Sequence, residues 1–321
     1  MFAHLLRRLG QSVLVLLAVS LVSFMVFRHI GDPTISLLGE DASLEDRQAL
    51  VSRLGFDQPV PVQYLHYVGN VLHGDFGISY RLKRPVTEVL AERLPATLEL
   101  ALVASLVAVL GGVALGVYTA IRRDGLLSRA LMTVSLIGIS LPTFLIGIGL
   151  IYLFAVELRW LPSFGRGDTV KIGGWTTGLL TASGWASLVL PVCTLALFKL
   201  TLIMRLVRAE MLETLRTDYV RFARARGLPE RRIHYGHALR NTLIPVVTIT
   251  GLQIGSLIAF AIVTETVFQW PGVGLLFISS IQAVDVPIIA AYLLLIAVLY
   301  VCINFVVDLV YLLVDPRLRR A

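Results

Sequence analysis

Six long apolar runs separated by polar stretches organise this chain: Leu9–Phe27, Leu98–Ile121, Ala130–Val156, Ala186–Met204, Leu243–Thr264 and Pro287–Val314. At about 1.5 Å per residue, each is long enough to cross a hydrocarbon core about 30 Å thick. A spanning segment must satisfy its own backbone, and these runs are about twice the length of a barrel strand, so helices are the predicted form. The pattern predicts an all-α polytopic membrane protein with six transmembrane helices. The one sizeable polar segment, 30–97, lies between the first two runs. It opens on a turn at Gly31-Asp32-Pro33 and continues through a charged stretch at helical spacing, Glu40 to Arg53. Gln63, Tyr64, Tyr67 and Val68 then predict a short amphipathic helix, and Gly74-Asp75-Phe76-Gly77 a tight turn.

Composition agrees: 56% of the 321 residues are hydrophobic and 15% charged, against about 45–50% and about 25% in soluble domains. Charge then sets the orientation. With the even number of spans, both termini share a side, and if that side is the cytoplasm seventeen arginines lie inside: Arg7, Arg8, Arg122, Arg123, Arg129, nine from Arg205 to Arg240, Arg317, Arg319 and Arg320. The two short outside loops carry only Arg159, Arg166 and Lys171, so the expected topology is N-in, C-in. The net charge of +7 is therefore a topology signal and implies no nucleic-acid partner. The first run meets Arg28-His29-Ile30-Gly31-Asp32 without a small-x-small cleavage site and is expected to be retained as helix 1. Cys193 and Cys302 fall inside apolar runs and predict packing residues, with neither disulfide nor metal framework.

The cytoplasmic stretch from Asp218 to Pro245, DYVRFARARGLPERRIHYGHALRNTLIP, is the most informative polar feature. Met211, Leu215, Tyr219 and Phe222 recur at spacings of three and four, which predicts one apolar stripe on a helix with arginines on other faces. Gly227 can end that helix and Pro229 can begin the next, giving a helix-turn-helix. Small residues at the bend, Ala223, Ala225 and Gly227, let a partner's backbone approach closely.

These residues resemble the transmembrane subunit of ABC importers of the dipeptide/oligopeptide permease family, whose signature runs approximately D-Y-V-x-x-A-R-A-K-G-L and then H-A-x-R-N-x-x-x-P. Here Asp218-Tyr219-Val220, Ala223-Arg224-Ala225-Arg226-Gly227-Leu228, His237-Ala238-Leu239-Arg240-Asn241 and Pro245 stand at those places, with Arg226 for the usual lysine. The resemblance extends to Leu54-Gly55-Phe56-Asp57, Gln63-Tyr64, Gly74-Asp75-Phe76-Gly77-Ile78-Ser79, Leu141-Pro142, Leu190-Pro191 and Pro271-Gly272-Val273-Gly274, covering nearly the whole chain.

Membership implies the type I ABC importer permease fold and a role in moving di- or oligopeptides across the cytoplasmic inner membrane. Nickel and glutathione importers share the pattern. The implied partners are a second, homologous permease subunit, two nucleotide-binding ATPase subunits that hold ATP and Mg, and an extracytoplasmic solute-binding protein. The long segment before the second span is typical of the first permease of such a pair. By the resemblance, Arg221, Phe222, Ala223, Arg224, Ala225, Arg226, Gly227 and Leu228 form the ATPase-coupling contact. The expected division of the chain is 1–29 with helix 1, 30–97 extracytoplasmic, 98–314 the five-helix core with its coupling hairpin at 205–242, and 315–321 a cytoplasmic tail.

The remaining chemistry fits a subunit without its own energy source. All three lysines follow apolar residues, Leu82, Val170 and Phe198, so no P-loop is possible, and the six histidines build no metal or catalytic motif. The chain is expected to need no cofactor and to be no enzyme. A stand-alone secondary transporter, the distant alternative, would place paired ionisable residues at midspan. The ionisable candidates in or beside the runs are Lys199, expected to snorkel towards the cytoplasm, with Glu265 and Asp308 near the edges. Gly251 and Gly255 form a G-x-x-x-G step expected to bring helices close. Pro142 and Pro191 are expected to bend their helices.

Overall fold

The computed structural model describes residues 2–29 and 57–314, with isolated positions between. Its elements run α1 (Phe2–His29), α2 (Val60–Leu72), α3 (Val86–Ile121), α4 (Leu126–Ser140), α5 (Thr143–Leu150) continued by a wide π-helical stretch (Ile151–Glu157), β1 (Val170–Ile172), β2 (Trp175–Thr177), α6 (Ala182–Thr214), α7 (Asp218–Ala225), a second π-helical stretch (Arg232–Ala238), α8 (Leu239–Val267), α9 (Val273–Gln282) and α10 (Val286–Val314). Among the described residues, four helical stretches are long and apolar enough to cross a membrane: Arg8–His29, Val86–Ile121, Ala182–Thr214 and Val286–Val307. A fifth is added if α4 and the α5 segment form one span.

The third predicted run does not fold as one rod. Leu141-Pro142 interrupts it, and the two halves meet at a bend of 114°. Proline disfavours helical backbone in the residue before it, and here Pro142, at φ −57° and ψ 139°, caps a new helix. Pro191 instead lies inside α6 and Pro245 inside α8. The other predicted runs lie within α1, α3, α6, α8 and α10, although α3 begins twelve residues before Leu98 and α6 continues ten beyond Met204. The stretch from Glu40 to Arg53 and the tail 315–321 lie largely or wholly outside the described residues.

The chain divides into two compact units. One comprises 96–271 with the C-terminal stretch from Cys302. Its core is formed by Leu100, Ala104 and Ala108 of α3, Leu188, Leu195, Ile203, Val207 and Met211 of α6, and Val246, Leu257 and Ala261 of α8. Close approach of α3 and α6 depends on glycine. A Cβ on Gly112 would lie 2.8 Å from Ile203 Cβ, and one on Gly116 would lie 2.6 Å from Val207 Cβ and 2.8 Å from the Met204 carbonyl oxygen. This second G-x-x-x-G step, missed in the sequence, is the one whose packing is on view. Gly255 is buried in α8, while the surroundings of Gly251 lie outside the described residues.

The other unit comprises Phe2–Pro95 and Gly272–Val301. Its α2 is the short helix expected from Gln63, Tyr64, Tyr67 and Val68, and it packs on α1. The tight turn follows, with Gly74 and Gly77 at φ +77° and +81° and the Gly77 amide donating to Asp75 Oδ1 at 2.9 Å. Asp285, buried at the start of α10, accepts from Ser79 Oγ at 2.5 Å and from the amides of Tyr80 and Arg81 at 3.0 and 3.3 Å. That explains the serine closing the Gly-Asp-x-Gly-x-Ser pattern: it holds the turn to the head of α10.

Candidate coupling surface

The predicted stripe of Met211, Leu215, Tyr219 and Phe222 is divided between two helices, because α6 stops at Thr214 and α7 starts at Asp218. Met211 is fully buried in the core, but Tyr219 and Phe222 are exposed. The inward face of α7 is instead Val220 and Ala223, which with Ile233 form a small buried cluster against Leu215 and Leu228. Thr214-Leu215-Arg216-Thr217 makes the break, with the Thr217 amide and hydroxyl both donating to the Thr214 carbonyl, at 3.1 and 2.6 Å.

The end of α7 is a Schellman motif. Gly227 has φ +74°, its amide donates to the Arg224 carbonyl at 2.9 Å, and the Leu228 amide reaches the Ala223 carbonyl at 3.3 Å. Leu228 joins the same small cluster as Ala223, the hydrophobic contact that accompanies this cap. Pro229 then opens the next helix, accepting from Arg232 at 2.9 Å and Ile233 at 3.2 Å. That helix runs through the π-helical stretch into α8 without a break.

Polar contacts fix the hairpin further. Arg224 grips Glu230 through two nitrogens, at 2.8 and 3.3 Å, and His234 Nε2 lies 3.0 Å from the same carboxylate. The arginine hydrogen bonds hold the Glu230 carboxyl below its usual range. Asn241 Nδ2 donates to Tyr219 Oη at 2.8 Å, joining the two halves of the sequence signature.

Of the eight predicted coupling residues, Arg221, Phe222, Arg224, Ala225, Arg226 and Gly227 lie on the surface, whereas Ala223 is buried and Leu228 half-buried. Phe222 is 64% exposed, and the Arg226 guanidinium lies 5.8 Å from its ring centre. Nothing lies within 4 Å of a Cβ built on Gly227. The arrangement is a short, cation-rimmed helix with an apolar knob at Phe222 and an open glycine at its end.

At the other end of α8 stands a network that sequence reading missed. Glu99, the only acidic residue in the run Leu98–Ile121, is 5% exposed and accepts from Arg166 Nη2 at 2.5 Å. It also takes Trp175 Nε1 at 3.3 Å and the Gly178 amide at 3.4 Å, while Arg166 donates to the Thr176 carbonyl at 2.6 Å. The pair thus holds the β1–β2 hairpin, closed at Gly173-Gly174, against α3. Two residues earlier, Thr97 Oγ1 donates to the buried Glu265 carboxylate at 2.5 Å, and Trp270 Nε1 donates to the Ala96 carbonyl at 2.9 Å. The detectable signal was a lone carboxylate within an apolar run, which needs a partner.

Arg166→Met is expected to destabilise the subunit by about 3–5 kcal/mol, because it strands a buried carboxylate. Adding Glu99→Gln should recover most of that loss, and thermal unfolding in detergent measures both. Equal instability of the single and double variants would contradict the pairing.

Two further expectations are corrected. Lys199 does not snorkel: it is 6% exposed, with its ammonium 5.5 Å from the Phe198 ring centre, because α6 carries on well past the predicted end of its run. Cys193 and Cys302 are exposed on their helices rather than packed inside. The Asp308 side chain lies outside the described residues.

Among the described residues, four helices long and apolar enough to cross a membrane, with an arginine-rich helical hairpin between α6 and α8, mark a membrane-embedded chain. Residues 112–320 match the family described as "Binding-protein-dependent transport system inner membrane component", and residues 1–101 match its N-terminal companion family. The chain belongs to this family of inner-membrane transport components. It is 42% identical, over 99% of both chains, to the "Di/tripeptide transport system permease protein DppB" of Pseudomonas aeruginosa (strain UCBPP-PA14). It is 38% identical, again over 99% of both, to the "Dipeptide transport system permease protein DppB" of Escherichia coli (strain K12). Among solved structures, a chain of the MetNI methionine ABC transporter in an inward-facing form superposes with a TM-score of 0.56 at 19% identity, covering 71% of this chain and 96% of that one. The fold is that of an ABC importer permease.

Proposed function

We propose that this chain is the permease of a peptide importer, translocating di- or oligopeptides across the inner membrane with energy from separate ATPase subunits. The observation that carries the substrate class is identity of 37–42% over essentially the full length to permeases named for peptide, dipeptide or di/tripeptide transport. In this reading both termini are cytoplasmic, and ATP and Mg bind to two ATPase partners. A second, similar permease completes the pore, and an extracytoplasmic binding protein delivers the solute.

Coupling is assigned to α7 and its cap. The supporting geometry is an exposed helix whose fold is locked from behind by Val220, Ala223 and Ile233 and from the side by Arg224–Glu230 and Asn241–Tyr219. Such a helix can be pushed without melting. Phe222 and Gly227 offer a knob and an open approach, while Arg221 and Arg226 suit an acidic rim on the partner. Closure of the ATPases on ATP would then bias the permease between inward- and outward-facing states.

The test is reconstitution in proteoliposomes with binding protein and ATPases. Labelled dipeptide uptake should require ATP and every partner, and nickel or glutathione should not compete. Uptake by the single chain alone would instead identify a stand-alone transporter.

A further inference from the structure

The helix α2 was expected to sit in a polar extracytoplasmic segment, yet none of its thirteen residues, VPVQYLHYVGNVL, is charged, although Asp57 and Asp75 flank it. It presents three distinct faces. The first is taken by α1: Tyr64 Oη lies 2.7 Å from Ser20 Oγ, and Tyr67 Oη lies 2.7 Å from Ser23 Oγ. The Phe24 ring centre lies 5.5 and 5.7 Å from those of Tyr64 and Tyr67, and Phe27 lies 6.0 Å from Tyr67. The second face is apolar and open, with Val62 37%, Leu65 67% and Leu72 80% exposed, positions that share one side of a helix. The third, next to it, is the exposed polar strip of His66 and Asn70, continued by His73 at the C-cap.

Depth follows from the serines. Arg8 and Arg28 bracket the uncharged stretch of α1, and Ser20 stands eight residues before Arg28, about 12 Å down the axis. Half of the hydrocarbon core is about 15 Å. Packed helices lie about 8–10 Å apart, so the Tyr64 end of α2 sits beside the apolar half-layer and not above it. Both tyrosine hydroxyls are hydrogen-bonded to serines, so that depth strands neither. The exposed apolar side chains of α1 at this level, Leu21, Val22 and Met25, continue the same kind of surface. With no charged side chain, one apolar side and its buried hydroxyls already partnered, α2 can lie at this depth without burying a charge.

We propose that α2 is embedded in one leaflet of the phospholipid bilayer, with Val62, Leu65 and Leu72 among the acyl chains and His66 and Asn70 at headgroup level. That the leaflet is the outer one rests on the N-in orientation proposed above; the insertion itself does not.

The test places nitroxide labels at Leu65→Cys, Leu72→Cys, His66→Cys and Asn70→Cys, one at a time, with Cys193 and Cys302 replaced by serine. The full chain, co-expressed with its transporter partners, is held in phospholipid nanodiscs. Collision with oxygen should exceed collision with a water-soluble nickel chelate several-fold at 65 and 72, with the order reversed at 66 and 70. Equal access of the nickel chelate at all four sites would overturn the proposal in favour of a water-facing helix. Low access of both reagents at 65 and 72 would overturn it in favour of a protein partner, such as a second permease. Leaflet is read separately: His66→Cys in intact cells should react with an impermeant maleimide. Reaction only in inside-out vesicles would overturn the outer-leaflet assignment and the N-in orientation together, while the collision data still report insertion.

Discussion

Gly227→Asp is expected to leave the subunit in the membrane and to abolish both solute uptake and the stimulation of ATP hydrolysis. The local cost is small. At φ +74° an L-residue is disfavoured by about 1–2 kcal/mol, and Asp is among the side chains that tolerate this region best. A Cβ there meets nothing within 4 Å, so no packing is displaced. The added carboxylate projects into the space a partner would occupy, and a buried, unpaired charge in a contact costs far more than the cap does. Gly227→Ala separates the two effects, since it carries the backbone strain without the charge and should retain most coupling. Unimpaired uptake by Gly227→Asp in proteoliposomes would refute the assignment of this surface. Equal loss in both variants would locate the fault in the cap.

The second large effect is expected at Gly116→Leu, which should prevent recovery of folded subunit. Its Cβ alone would stand 2.6 Å from Val207 Cβ and 2.8 Å from a backbone carbonyl on α6, and backbone cannot move aside as a flexible side chain can. Overpacking typically costs about 1–3 kcal/mol, and a whole isobutyl group against backbone belongs at or beyond the top of that range. Gly149→Ala is the contrasting control, because Gly149 has nothing within 4 Å of its Cβ and the variant should melt like the parent. Thermal unfolding monitored by size-exclusion chromatography decides it, and a parental melting temperature for Gly116→Leu would show that α3 and α6 do not pack this closely.

Much of the architecture was legible because bilayer-length apolar runs admit one backbone solution, and the signature residues placed the hairpin within a few positions. The errors have local causes. A periodic stripe across 211–222 reads as one helix, since spacing alone does not register that Thr214 and Thr217 close a turn between two. Ala130–Val156 reads as one span because hydropathy is insensitive to a 114° bend at Leu141-Pro142. Two G-x-x-x-G steps lie within the apolar runs, and sequence does not say which faces a helix; Gly112 and Gly116 do. The Glu99–Arg166 pair joins residues 67 positions apart, a separation at which no periodicity connects them. Helix α9, Val273–Gln282, was passed over because its ten residues are too short to read as a span.

The unbroken helix from Glu230 to Val267 spans about 55 Å at 1.5 Å per residue. One tip is clasped by Arg224, and Glu265 near the other tip is fastened to Thr97. It is a lever. A tilt of a few degrees imposed at the arginine tip sweeps the far tip through several ångströms, more than a single hydroxyl–carboxylate bond can stretch. The Thr97–Glu265 bond is therefore one fastening that such a stroke would have to break or carry along.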